Sequence, residues 1–153
     1  MADGKKTFLE DSNAPECKHV YVATEKGREY ILENPAGLMV LQTKVDGALY
    51  GDGDGKKCDY SFSSKDFSTI ILVELKGSDI KQAAKQLQST IEDFKVKYAY
   101  KRYYGRIVAS RVQAPDIQSV EYRRLSALLV KSGGNLDKKT RKLQEKLENG
   151  FSL

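Results

Sequence analysis

At 153 residues, with 40% hydrophobic and 31% charged side chains, the chain has the length and composition of one folded domain rather than of a disordered tract. Two cysteines and one histidine exclude a disulfide framework and a thiolate or imidazole metal site, and no apolar run reaches the ~18 residues of a membrane span. A net charge of +5 favours an anionic partner without naming one, because surplus lysine also serves solubility.

Residues 1–16 are polar and aperiodic, a loose lead-in that Pro15 keeps from becoming helical, and residues 17–153 are expected to form a single domain. No apolar stretch follows Met1, so the expected location is the cytoplasm, with Cys17 and Cys58 as small buried thiols. Val20, Tyr21 and Val22 read as a strand. Residues 24–32 fit either a short capped helix or a second strand, ended by Asn34 and Pro35.

Residues 37–50 are rich in β-branched and apolar side chains and predict a strand closing in the Gly-Asp turn chemistry of residues 51–55. That segment lacks the spacing and terminal Glu of an EF-hand, so a hairpin turn is the better reading. Residues 56–63 form the next strand. Residues 69–76 are apolar on both faces, the mark of a central strand.

Ser78 is a good N-cap for a helix in which Ile80, Ala83, Ala84, Leu87, Ile91 and Phe94 recur at three- and four-residue spacing. Residues 106–112 form a further strand. Pro115 and Asp116 open a helix over residues 117–131, which Gly133 and Gly134 end. Residues 137–148 predict a charged helix anchored only by Leu143 and Leu147. The order predicts a mixed α/β fold, a central mixed sheet flanked by helices.

Pairing residues 56–63 with 69–76 as an antiparallel hairpin leaves one register that suits every position. It sets Phe62 against Ile71, Tyr60 against Val73 and Cys58 against Leu75 on an apolar face. On the other face it sets Ser63 against Ile70, Ser61 against Leu72 and Asp59 against Glu74, with Lys76 two residues on. Opposed carboxylates repel by about 1 kcal/mol at 4 Å in water, and by several-fold more where water is excluded. A hard divalent cation offsets that cost, because Mg²⁺ takes carboxylate oxygens and keeps waters for a substrate. The carbonyl of Leu75 offers a further ligand, and Lys76 shares the face of Glu74.

An Asp, a gap of about fifteen residues, and Glu74-Leu75-Lys76 closing an apolar strand that runs into a helix resemble the PD-(D/E)XK nuclease superfamily, the restriction-endonuclease-like fold, over residues 37–112. The resemblance implies that Asp59 and Glu74, with the Leu75 carbonyl, hold Mg²⁺ or Mn²⁺. It implies that Lys76 helps activate the water that splits a phosphodiester. Cys58 stands where proline often precedes the Asp. A further acid that many members supply falls to Glu29 or Glu33 if their segment is helical, or to Asp46 if its strand lies against the hairpin. Some members use a Gln on the following helix, which makes Gln86 a candidate, although Thr90 stands where a Gln-x-x-x-Tyr form would have tyrosine.

Tyr98, Tyr100, Lys101, Arg102, Tyr103, Tyr104 and Arg106 interleave rings with cations. Either they stack bases and neutralise phosphates, with Lys101, Arg102, Tyr104 and Arg106 as contacts, or the tyrosines pack under the helix. Arg123, Arg124 and residues 138–142 read as solvated basic faces. The expected activity is a Mg²⁺-dependent endonuclease acting on nucleic acid, DNA ahead of RNA, away from membranes. With so little chain beyond the core, a homodimer or larger complex stays open for target recognition. The alternatives are a non-catalytic module of the same fold that binds nucleic acid or protein, and an immunity-type protein meeting an acidic partner.

Overall fold

The computed structural model describes residues 16–46, 57–75 and 77–153; residues 1–15, the turn expected at 51–55, and Lys76 lie outside the described residues. The elements run β1 (Val20–Glu25), β2 (Arg28–Glu33), β3 (Val40–Lys44), β4 (Tyr60–Ser64), β5 (Thr69–Leu75), α1 (Ile80–Lys97), β6 (Arg102–Ala109), α2 (Ala114–Ile117), α3 (Val120–Lys131), β7 (Leu136–Thr140) and β8 (Lys142–Lys146). A five-stranded sheet has the order β3-β4-β5-β6-β7, antiparallel across the first two steps and parallel across the last two. A three-stranded sheet has the order β1-β2-β8, with β1 antiparallel and β8 parallel to β2.

The hairpin register is the one that alternation predicts: Tyr60 opposes Val73, Ser61 Leu72, Phe62 Ile71 and Ser63 Ile70. All seven residues of β5 are buried, as a strand covered on both faces must be. Ile70 and Leu72 point at Ala83, Leu87 and Ile91 of α1 and at Leu125 and Leu129 of α3. Phe62, Ile71 and Val73 point the other way, at Tyr21, Tyr30, Leu32 and Leu143 of the small sheet. Helices therefore cover one face of the central sheet and a second sheet covers the other. The expected mixed sheet flanked by helices is met on one face only.

Two local readings explain that difference. Residues 28–33 resolve as β2, because Lys26 and Gly27 at positive φ form a tight turn that folds β2 back on β1. Residues 137–148, expected as a helix, are β7 and β8. Leu143 and Leu147 lie two residues either side of Glu145, a period of two that places all three toward the layer between the sheets. Partner edges decide the matter: β6 and β2 each offer a free row of backbone groups that β7 and β8 fill in parallel register. Smaller differences are that Asp79, not Ser78, caps α1, that β6 starts earlier and ends sooner than expected, and that Cys17 is exposed while Cys58 is buried.

In the β4–β5 loop Asp66 accepts from the Ser64 hydroxyl at 2.7 Å, the Ser68 hydroxyl at 2.7 Å and the Ser68 N–H at 3.1 Å. These bonds, Ser64 first, hold its carboxyl below the usual range. A lowered folded-state value stabilises the fold above the ordinary carboxylate pKa and is lost as pH falls through the lowered one. Asp66→Ala should therefore cost about 1 kcal/mol in urea unfolding at neutral pH. The gap from wild type should shrink below pH ~4.

Gly134 ends α3 where the chain crosses the backbone of β6. A Cβ there would lie 1.9 Å from the Tyr103 carbonyl oxygen, a backbone atom that cannot swing aside. Gly134→Ala should cost at least about 2 kcal/mol, read by urea midpoint. A wild-type midpoint would show that the crossing yields to a methyl group without loss.

A candidate metal centre at the strand ends

Glu74 is the penultimate residue of β5 and only 2% exposed, set on the helix-covered face after Ile70 and Leu72. A carboxylate so placed has lost most of its water, and charge is tolerated there only if other groups compensate it. Asp59 stands one residue before β4, a step beyond the last paired rung. There the ladder changes: the Asp59 N–H donates to the Val73 carbonyl at 3.1 Å, and the Asp59 carbonyl turns to β3 and accepts the Val45 N–H at 2.8 Å. The Leu75 N–H is taken by the Asp59 side chain, at 2.7 Å from Oδ2. The carboxylate of Asp59 thus rests on the peptide that joins Glu74 to Leu75.

The same break moves Cys58. It was expected beside Tyr60 and Phe62 on the apolar face, but it packs with Ile70, Leu72 and α1. Its N–H donates to the Thr90 hydroxyl at 2.9 Å, and that hydroxyl donates to the Gln86 carbonyl at 2.8 Å. Gln86, 6% exposed, donates Nε2 to the Lys57 carbonyl at 3.2 Å. Its Oε1 is buried and accepts no hydrogen bond from the described residues. Burial foremost, then the charge of Glu74, pushes the Cys58 thiol well up, and Asp59 adds to the rise against opposing bonds from Thr90 and Val73. Both carboxylates therefore act on one buried sulfur.

Among the described residues no group of three or more His, Cys, Asp or Glu is arranged to hold a metal ion. A cation here would rest on two carboxylates, the Leu75 carbonyl and waters, an all-oxygen set that suits Mg²⁺ or Mn²⁺ and not a thiolate metal. The other acids proposed from sequence fare unequally. Glu29 and Glu33 alternate with Tyr30 and Leu32, which face the core, and so lie on the outer face of the small sheet. Asp46 follows Val45, which bonds Asp59, and is exposed at the same end of the sheet. Thr90 and Lys57 were not singled out from sequence. Thr90 carried a signal, a hydroxyl one turn after Gln86 on the apolar face of α1.

The expected nucleic-acid contacts are not brought to this site. Tyr98, Tyr100, Tyr103 and Tyr104 are buried and Arg106 is 2% exposed, so the packing reading of that segment holds. Lys101 and Arg102 are exposed, but Arg102 pairs with Thr69 at the start of β5. Five residues of strand separate that row from Glu74, about 17 Å. Arg102 instead borders a cavity of about 570 Å³ at that far end, with Ser64, Asp66, Thr69 and Phe151. No helix among the described residues is long and apolar enough to cross a membrane. No family model, no curated protein and no solved structure matches the chain.

Proposed function

We propose that the protein is a divalent-metal-dependent phosphodiester hydrolase acting on nucleic acid, DNA ahead of RNA. The carrying observation is the Asp59 carboxylate held at 2.7 Å on the N–H of Leu75, the residue that follows buried Glu74. Two acids with hard oxygen neighbours at one strand end have a physical reason to share a cation. The order of three strands, a crossover helix and a parallel fourth strand (β3 to β6) supports a restriction-endonuclease-like core. The small sheet on the second face is a departure from it.

A bound Mg²⁺ or Mn²⁺ would supply charge and Lewis acidity to a phosphodiester. Asp59 and Glu74 would hold it, with the Leu75 carbonyl as a further ligand. Gln86 keeps the start of the Asp59 strand against α1. Lys76, outside the described residues, would orient the attacking water or hold a phosphate oxygen. Incubating purified protein with plasmid and with single-stranded DNA, in Mg²⁺, Mn²⁺ or EDTA, tests the activity. No cleavage under any metal sinks it.

One observation favours a second reading, a non-catalytic binding module. The Asp59 carboxylate replaces a missing ladder acceptor and so has a structural use of its own. Such a module would bind its partner equally in EDTA, take up no Mg²⁺, and cut nothing.

A further inference from the structure

At the carboxyl ends of β5, β6 and β7 the chain crosses from one sheet to the other through Arg141. Its N–H donates to the Ala109 carbonyl at 2.7 Å, its carbonyl accepts the Glu29 N–H at 2.9 Å, and its φ is +65°. Beside it opens a cleft of about 380 Å³, lined by Thr24, Gly27, Arg28, Glu29, Arg141 and Lys142. Arg28 reaches Ser110 Oγ with one guanidinium nitrogen at 3.3 Å, and its Nε is buried without a hydrogen-bond partner among the described residues. A buried guanidinium donor lacking an acceptor is costly, and an oxyanion is the ligand its fork fits.

Arg141 and Lys142 are exposed, as are Arg111, next to Ser110, and Lys139, in the row of Val108 and Leu75. The acids nearby are Glu29, 3.8 Å from Lys142, and Glu25, paired in register with Arg28. Cations remain in excess.

We infer that this cleft holds backbone phosphates of a nucleic acid strand leading to the Asp59–Glu74 pair, with Arg28 and Arg141 as the principal contacts. The inference rests on the nuclease reading for the direction of the strand, not for the site itself. Two strand spacings and two residues separate Arg141 from the row of Leu75, about 12 Å. At that separation the cleft lies within a few phosphates of the metal pair along one strand. The expected basic segment around Lys101 stands at the wrong end of the sheet for this, whereas the cleft stands at the right one. Ligands of sheets with parallel strands commonly sit outside the carboxyl ends of those strands.

Anisotropy of a labelled single-stranded 20-mer, in EDTA over a salt series, tests it. Arg28→Gln and Arg141→Asn should each weaken binding about tenfold and reduce the salt slope by about 1, with Lys101→Ala and Arg102→Ala as wild type. Asparagine at 141 tolerates the left-handed backbone, so the fold is kept; thermal melts verify both variants. Unchanged binding by Arg28→Gln and Arg141→Asn, or equal losses in the Lys101 and Arg102 variants, overturns the proposal. So does inorganic phosphate competing at the concentration at which the oligonucleotide saturates, which marks a small-anion site. Metal-dependent cleavage that survives Arg28→Gln with binding intact defeats the cleft alone, and binding without cleavage defeats the hydrolase alone.

Discussion

Asp59→Asn is expected to lower metal-dependent cleavage by at least about 10²- to 10³-fold while leaving the protein as stable as wild type, or more so, in EDTA. The substitution is chosen for its geometry. Asparagine keeps an oxygen for the Leu75 N–H, so the ladder closure survives, and only the charge is removed. Two carboxylates at one strand end, Glu74 buried at 2% exposure, leave more negative charge to compensate without metal than one does. With metal the sign reverses. A ligand that binds the folded state a hundredfold above its Kd stabilises by about 2.7 kcal/mol, roughly 5–10 °C in a domain of this size. Mg²⁺ or Mn²⁺ should raise the melting temperature of wild type and do little for Asp59→Asn or Glu74→Gln. Gln86→Ala should weaken that metal shift without removing it. Equal melting curves for wild type with metal and with EDTA would dissolve the cation site, whatever an activity assay showed.

Arg106→Ala should destabilise the fold by about 3–5 kcal/mol, a large share of the 5–15 kcal/mol that holds an ordinary domain together. Arg106 donates Nε to Glu145 Oε2 at 2.8 Å and one terminal nitrogen to the carbonyls of Gly105 and Asn135 at 2.9 and 3.1 Å. The Tyr30 hydroxyl donates to the same Glu145 oxygen at 2.6 Å. The network joins β6 of the central sheet to β8 and β2 of the small one, in a layer otherwise apolar. Little water reaches it at the Tyr30 end, where burial first, then the charge of Glu145, pushes the Tyr30 pKa well up. Removing the guanidinium strands the Glu145 carboxylate, and that penalty, rather than the worth of the pair itself, sets the size of the loss. Glu145→Gln keeps an acceptor for Tyr30 and should cost less, about 1–3 kcal/mol. Urea midpoints decide both. A wild-type midpoint for Arg106→Ala with weakened oligonucleotide binding would return Arg106 to the nucleic-acid surface from which its burial removes it.

The hairpin that carries the candidate site was legible in the sequence. The alternation of Tyr60, Phe62, Ile71 and Val73 against Ser61, Ser63, Ile70 and Leu72 permits one hairpin register, and a slip by one residue would turn an apolar row to the wrong face. Continued by one rung, that register would set Asp59 opposite Glu74, but the regular pairing stops at Tyr60 and the Asp59 side chain meets the Leu75 N–H instead. The bend at Asp59 was not legible, because it arises where the carboxylate displaces a backbone acceptor and lets Cys58 turn to Thr90 of a helix thirty-two residues away. The tyrosine-rich segment misled for a related reason. Rings alternating with cations suit both a stacking surface and a buried strand flanked by solvated ends, and only the helices and the small sheet packed on β6 decide which.

The chain by itself determined what local period can carry: the hairpin and the helix after Glu74. Tertiary structure alone decided that residues 136–146 are strands, that a sheet rather than a helix covers the second face, and that Arg28 and Arg141 meet at one cleft. The physical reason is that segments with few apolar residues have little preference of their own. Their state follows from the open backbone edges of β6 and β2 that they satisfy, and those edges exist only once the rest of the chain has folded.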